Sequence, residues 1–181
     1  MTQLNAARER TDAKLQYAAV HLDELQQRRR LARADGSPWE RAHQESFLFH
    51  LLGTRDALLQ EINIFHSCGL PMKQVAIGSI SQRLVRSGVV SKALRTLMRM
   101  EGLRSSWLSV AKRLRHRSTH QKGIPHQFVM DSKRDDPVYL RDPGTGELIE
   151  VDFIELFAQW HEKATKLVEN LRSKMPGAEN G

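Results

Sequence analysis

Nine consecutive residues, Lys112-Arg113-Leu114-Arg115-His116-Arg117-Ser118-Thr119-His120, carry four cations and two imidazoles. Guanidinium presents forked N–H donors that match phosphate oxygens. An imidazole with an ordinary pKa near ~6.5 can take up and release a proton around neutral pH. Together these groups are equipped for phosphate chemistry on RNA without a metal ion. Arg113 and Arg115 both stand within the Arg-x4-6-His spacing, and both do so with His120.

Helical geometry sorts the nine residues. At about 100° per residue, Arg113, His116, Arg117 and His120 fall within roughly 100° of one another, beside the apolar stripe. Arg115 lies roughly 140° from His120 on a regular helix. It can join His120 only if the helix loosens near Ser118-Thr119 or if a second subunit supplies one of the two groups. The plainer alternative is that the cations decorate a helix C-terminus, which the helix dipole favours.

The stretch Arg115-His116-Arg117-Ser118-Thr119-His120 resembles the Arg-polar-x3-His motif of the HEPN superfamily of small helical-bundle proteins. A long antiparallel helix pair expected ahead of the motif helix adds to the likeness, which covers residues 1–122 as architecture and six residues as motif. The resemblance implies a homodimer whose two motif helices meet in one cleft, and metal-independent RNA cleavage of toxin or defence type. His120 would then transfer the proton and Arg115 would steady phosphate charge. Arg113, His116, Arg117, Lys112 and Arg55 are the expected supporting or phosphate-binding groups. RNA and a cognate antitoxin or other partner protein are the expected partners, and no cofactor is called for. Glu24 and Arg28 match the acid-x3-basic pair of the same family, and also make an ordinary i,i+4 ion pair. A non-catalytic helical interaction module of this fold is the alternative.

Charge supports a polyanion-facing surface. Between Arg83 and Lys122 eleven Lys/Arg stand against one acid, Glu101, a net +10 within a chain of +7 overall. A basic segment on a neutral-to-acidic body makes nucleic acid the first candidate partner. No apolar run approaches the ~18 residues of a membrane span, the N-terminal residues lack a secretory core, and Cys68 stands alone, so a cytoplasmic setting is expected.

The elements that must position these groups read as follows. The chain has 181 residues, 40% hydrophobic and 27% charged, enough for one domain with one core. Apolar spacing predicts helices over about 3–34, 38–67, 72–86, 91–100 and 103–118, the last burying Leu103, Trp107, Val110, Ala111 and Leu114. Ser37 reads as an N-cap with Pro38 at the first helical position. Dense turn chemistry at Asp142–Glu147 places a β-hairpin at 138–151, and Asp152 caps a final helix to about Lys174. The expected fold is an all-α up-and-down helical bundle, residues 1–175, with a small β-hairpin insertion before the C-terminal helix and a flexible tail at 176–181.

His116 and His120 at i,i+4, together with His50 on the second helix, resemble the three-histidine site of DinB-like bundles. The surrounding arginines oppose that metal reading. Arg55 interrupts the apolar stripe of the second helix, and either pairs with an acid on another helix or points into a functional groove. Trp39, Trp107 and Trp160 are expected in the core, and His21, His50 and His66 as packed or capping residues.

Overall fold

The computed structural model describes residues 2–31, 37–120, 124, 126–127 and 137–175. In the described residues six α-helices and a small sheet build the expected bundle: α1 (Gln3–Leu31), α2 (Pro38–Phe65), α3 (Ile77–Arg86), α4 (Lys92–Gly102), α5 (Trp107–His120) and α6 (Phe153–Ser173). A short 3-10 turn (Met72–Gln74) precedes α3. The strands β1 (His126–Gln127), β2 (Tyr139–Arg141) and β3 (Leu148–Asp152) form an antiparallel sheet in that order, β2 and β3 being the expected hairpin. The side chain of His120 and the tail at 176–181 lie outside the described residues.

Local chemistry explains the boundaries. The Ser37 hydroxyl accepts from the Glu40 amide at 3.2 Å, and Pro38 opens α2. The Asn63 side chain both accepts from Leu70 N–H (3.1 Å) and donates to Leu70 C=O (3.0 Å), folding the chain back after α2. At α6 the Asp152 carboxylate accepts from the Ile154 amide at 2.9 Å. In the hairpin turn Gly146 sits at φ 76°, a left-handed conformation that favours glycine.

Helices α1 and α2 run antiparallel, since Thr11, Lys14 and His21 meet Glu61, His50 and His43 in reverse order. α5 packs on α2, while α6 packs on α1 and closes the bundle against α2 and α4. Phe47, Leu51, Leu58, Ile62, Leu114, Phe157 and Trp160 belong to one buried cluster drawn from all these layers. A buried polar latch crosses it. Glu61, fully buried, receives two N–H bonds from Arg172 (3.1 and 3.0 Å) and one from the Thr11 hydroxyl (2.5 Å). Arg172 also reaches Asp12 at 2.9 Å, so α1, α2 and α6 share one ionic knot.

Two expectations fail. Leu103 is not in a helix and is 55% exposed; the fifth helix starts at Trp107, because the Ser106 hydroxyl accepts from the Ser109 amide at 3.2 Å and caps it. Leu108, not Leu103, fills the core at that level. Trp39 is not in the core either but 39% exposed, in the first turn of α2. Trp160 is buried as expected, and Trp107 is partly so.

Candidate functional site

The motif helix sends its cations to two different sides. α5 stays helical through Ser118 and Thr119, whose hydroxyls both donate to the Arg115 carbonyl at 2.9 and 3.0 Å. The face predicted from helical spacing is present as far as it is described: Arg113, His116 and Arg117, with Lys112 and Pro143, line one open cavity of about 390 Å³. Arg115 points to the opposite flank of the helix, into a groove formed with α1 and α2.

On the hairpin flank the cations are largely committed. Arg113 makes a forked pair with Asp142, Nε–Oδ1 2.8 Å and Nη2–Oδ2 2.5 Å, and Nη2 also donates to the Arg104 carbonyl at 3.0 Å. Gly144 makes room for this: a Cβ there would come within 2.6 Å of the Arg113 side chain. The Arg113 bond holds the Asp142 carboxyl below its usual range. Lys112 pairs with Glu101 at 3.1 Å. Arg55 donates to the same Glu101 and, at 2.7 Å, to Asp56, so it takes the paired form of the two read from the sequence. Burial pushes the Glu101 carboxyl up, but the bonds from Arg55 and then Lys112 outweigh it and leave it below its ordinary value.

The opposite groove, about 380 Å³, is different in kind. Arg10 and Lys14 come from α1, Phe49, Gly53, Gln60 and the Asp56 carboxylate, itself paired with Arg55, from α2, and Arg115 from α5. The Phe49 ring is 47% exposed and is flanked by two cations, the Arg115 guanidinium 5.0 Å and the Lys14 ammonium 5.1 Å from its centre. No carboxylate among the described residues pairs with Arg115 or Lys14. Gly53 lets the Lys14 stem cross α2, since a Cβ there would stand 3.1 Å from Cδ. Lys14 Nζ reaches His50 Nδ1 at 3.5 Å, and because an ammonium only donates, that imidazole nitrogen accepts. Burial, then Lys14, then His21 push the His50 pKa down from its ordinary value.

Beyond His50 the aromatic rings continue along the α1–α2 seam. His21 stacks on His50 (centroids 5.5 Å, planes 6° apart), His21 Nδ1 lies 3.3 Å from His43 Nδ1, and His43 packs on Trp39 at 4.1 Å. Burial, then His43, lower the His21 pKa against the opposing pull of Glu24. The Arg28 guanidinium lies 5.8 Å above the Trp39 ring.

The three-histidine reading is not assembled by the side chains described. His50 faces Lys14 and His21, His116 lines the hairpin-side cavity, and the His120 side chain lies outside the described residues. Among the described residues no group of three or more His, Cys, Asp or Glu could hold a metal ion. No helix among them is long and apolar enough to cross a membrane. No protein-family model, curated protein or solved structure matches the chain.

Phe49, Lys14, Arg10 and His43 were not singled out by spacing within the motif. A signal was present: Phe49, Gly53, Asp56 and Gln60 stand at i, i+4, i+7 and i+11 on α2, and Arg10, Lys14, Tyr17 and His21 share that spacing on α1. A large aromatic off the buried stripe, in such a row, marks a ring kept at the surface.

Proposed function

We propose that this is a HEPN-like RNA-interacting protein whose nucleic-acid groove lies at Arg115, Phe49, Lys14 and Arg10. The observation that carries the reading is the Phe49 ring with two cations close to its centre, neither of them paired with a carboxylate among the described residues. Such a pair offers phosphate oxygens two donors and offers a base one stacking surface. The +10 segment supplies a wider field of the same sign.

The catalytic form of this reading is a metal-independent endoribonuclease. In it His120 takes the proton of a ribose 2′-OH as that oxygen attacks the adjacent phosphorus, the bond to the 5′ oxygen breaks, and that oxygen is reprotonated. Arg115 steadies the charge that builds on phosphate oxygens. On a regular helix Arg115 and His120 stand roughly 140° apart, which sets the two groups to different sides of one chain. The catalytic form therefore includes a homodimer in which the second copy supplies one of them. The non-catalytic interaction module is favoured by a different observation, the ion pairing of Arg55, Lys112 and Arg113.

Titrating labelled RNA with the purified protein across a salt series tests the binding reading. Affinity should fall steeply with salt and drop about tenfold in Arg115→Ala. Salt-independent or absent binding would refute it. Incubation of RNA in EDTA tests catalysis: cleavage abolished by His120→Ala and by Arg115→Ala is expected of the enzyme, and intact RNA at low salt across several substrates returns the protein to the binding module.

A further inference from the structure

We infer that the aromatic seam of α1 and α2 is a binding track for single-stranded RNA, running from the Arg115 groove to Trp39; the inference rests on the RNA-interacting reading above. Six rings are joined along it, three contacts edge to face, one stacked and one tilted. Phe49 and Tyr17 both touch His50 (5.2 Å each), His50 stacks on His21, His21 meets His43 (5.2 Å), and His43 meets Trp39. The outer rings are half open to solvent, Tyr17 51% and Phe49 47%. His21, His43 and His50 between them are half-buried, and interior packing does not explain why the outer rings are left open.

The length and the chemistry of the seam select the occupant. Phe49 and Trp39 are ten residues apart on α2, about 15 Å at 1.5 Å per residue. That spans three to five nucleotides of a single strand, stacked or extended. Every base has a π-face, so a line of rings holds a strand with little regard to sequence, while a positive groove tracks its backbone. Cations sit at both ends: Lys14 and Arg115 over Phe49, and Arg28 over Trp39. His50 Nδ1 accepts from Lys14, and of the two facing Nδ1 atoms of His21 and His43 one donates and the other accepts. A duplex has its bases stacked on one another and cannot present their faces to the track.

Self-association is the competing occupant of an exposed aromatic face. A two-fold interface would lay this patch on its own copy, bringing Lys14, Arg28 and Arg115 against cations of the same patch. The charge favours a polyanion.

Oligouridylates of two, three, five and eight nucleotides and an RNA hairpin stem, each fluorescein-labelled, provide the test with the full chain in EDTA. Affinity should climb to about five nucleotides and then level, with the stem at least tenfold weaker. Trp39→Ala should weaken the five-nucleotide oligomer roughly 5- to 20-fold and the dinucleotide much less, whereas Arg115→Ala should weaken both. Trp39→Phe, which restores a ring, should recover most of the loss, and circular dichroism confirms that each variant is folded. Equal affinity for stem and single strand, or a Trp39→Ala protein that binds the five-nucleotide oligomer as well as wild type, would overturn the track. A Trp39→Ala protein that changes sedimentation while RNA affinity holds would also overturn it and assign the seam to a second copy. If the dinucleotide still binds through Arg115 but affinity does not grow with length, the track fails and the RNA reading stands. If no RNA binds at all, both fail.

Discussion

Arg113 and Arg115 stand two residues apart on one helix and belong to opposite designs. Arg113 is saturated: a carboxylate, a carbonyl and a glycine-sized gap hold its guanidinium against the hairpin turn. Arg115 has an aromatic face beneath it, and no carboxylate among the described residues pairs with it. A cation whose donors are already used ties elements together. One held only by a ring keeps its donors for something the chain does not contain. Within a segment of eleven Lys/Arg, the carboxylates contributed by other elements decide which cations are structural and which are offered.

The comparison can be pressed hardest where saturation is deepest. Glu61 is fully buried beneath Arg172 and Thr11. Glu61→Ala should cost about 2–4 kcal/mol in urea unfolding, because the half-buried Arg172 guanidinium and the buried Thr11 hydroxyl lose their shared partner. A loss under 1 kcal/mol would mean that saturation is no guide to structural weight.

Arg113→Ala should cost less, about 1–2 kcal/mol, because its pair with Asp142 is only partly shielded from water. The loss should depend on pH in a definite sense. Arg113 holds the folded-state pKa of Asp142 below its ordinary value, so the stability it confers is present above the carboxylate range and lost as pH falls through that lowered pKa. Denaturant titrations should therefore show the wild type and Arg113→Ala converging at acid pH. A gap that persists or widens in acid would break the assignment of the pair.

Arg115→Ala should have the smallest effect on the fold, within about 0.5 kcal/mol, the scale of an exposed cation–ring contact. Its RNA affinity should fall about tenfold all the same. Were Arg115→Ala as destabilising as Arg113→Ala, the two arginines would be the same kind of residue and the contrast would collapse.

Much of the scaffold was legible because it depends on neighbours in sequence. Ser37, Pro38 and Asp152 start helices through contacts within three residues, and the Asp142–Glu147 turn folds on itself. The error at Leu103 has the same origin. Helical spacing extended the fifth stripe by one turn, but the Ser106 hydroxyl competed for the end of the helix and left Leu103 outside. Trp39 was misplaced because periodicity names a face without saying whether another element covers it. At the start of α2 the Trp39 ring meets Arg28 from the end of α1 and stays 39% exposed.

The candidate site divides along the same line. From sequence came the motif, the separation of Arg115 from Arg113, His116 and Arg117, and the two alternatives for Arg55, since each follows from helical angle or from a break in a stripe. Only the tertiary structure could bring Lys14 and Arg115 to the Phe49 ring, since those residues lie 35 and 66 positions from it along the chain. Only it could line His50, His21 and His43 into a row drawn from two antiparallel helices. Helix identity, caps and faces are short-range properties fixed by the local order of residues. Which cation meets a carboxylate, and which meets a ring, depends on the register between helices far apart in sequence, and packing of the shared core decides that register.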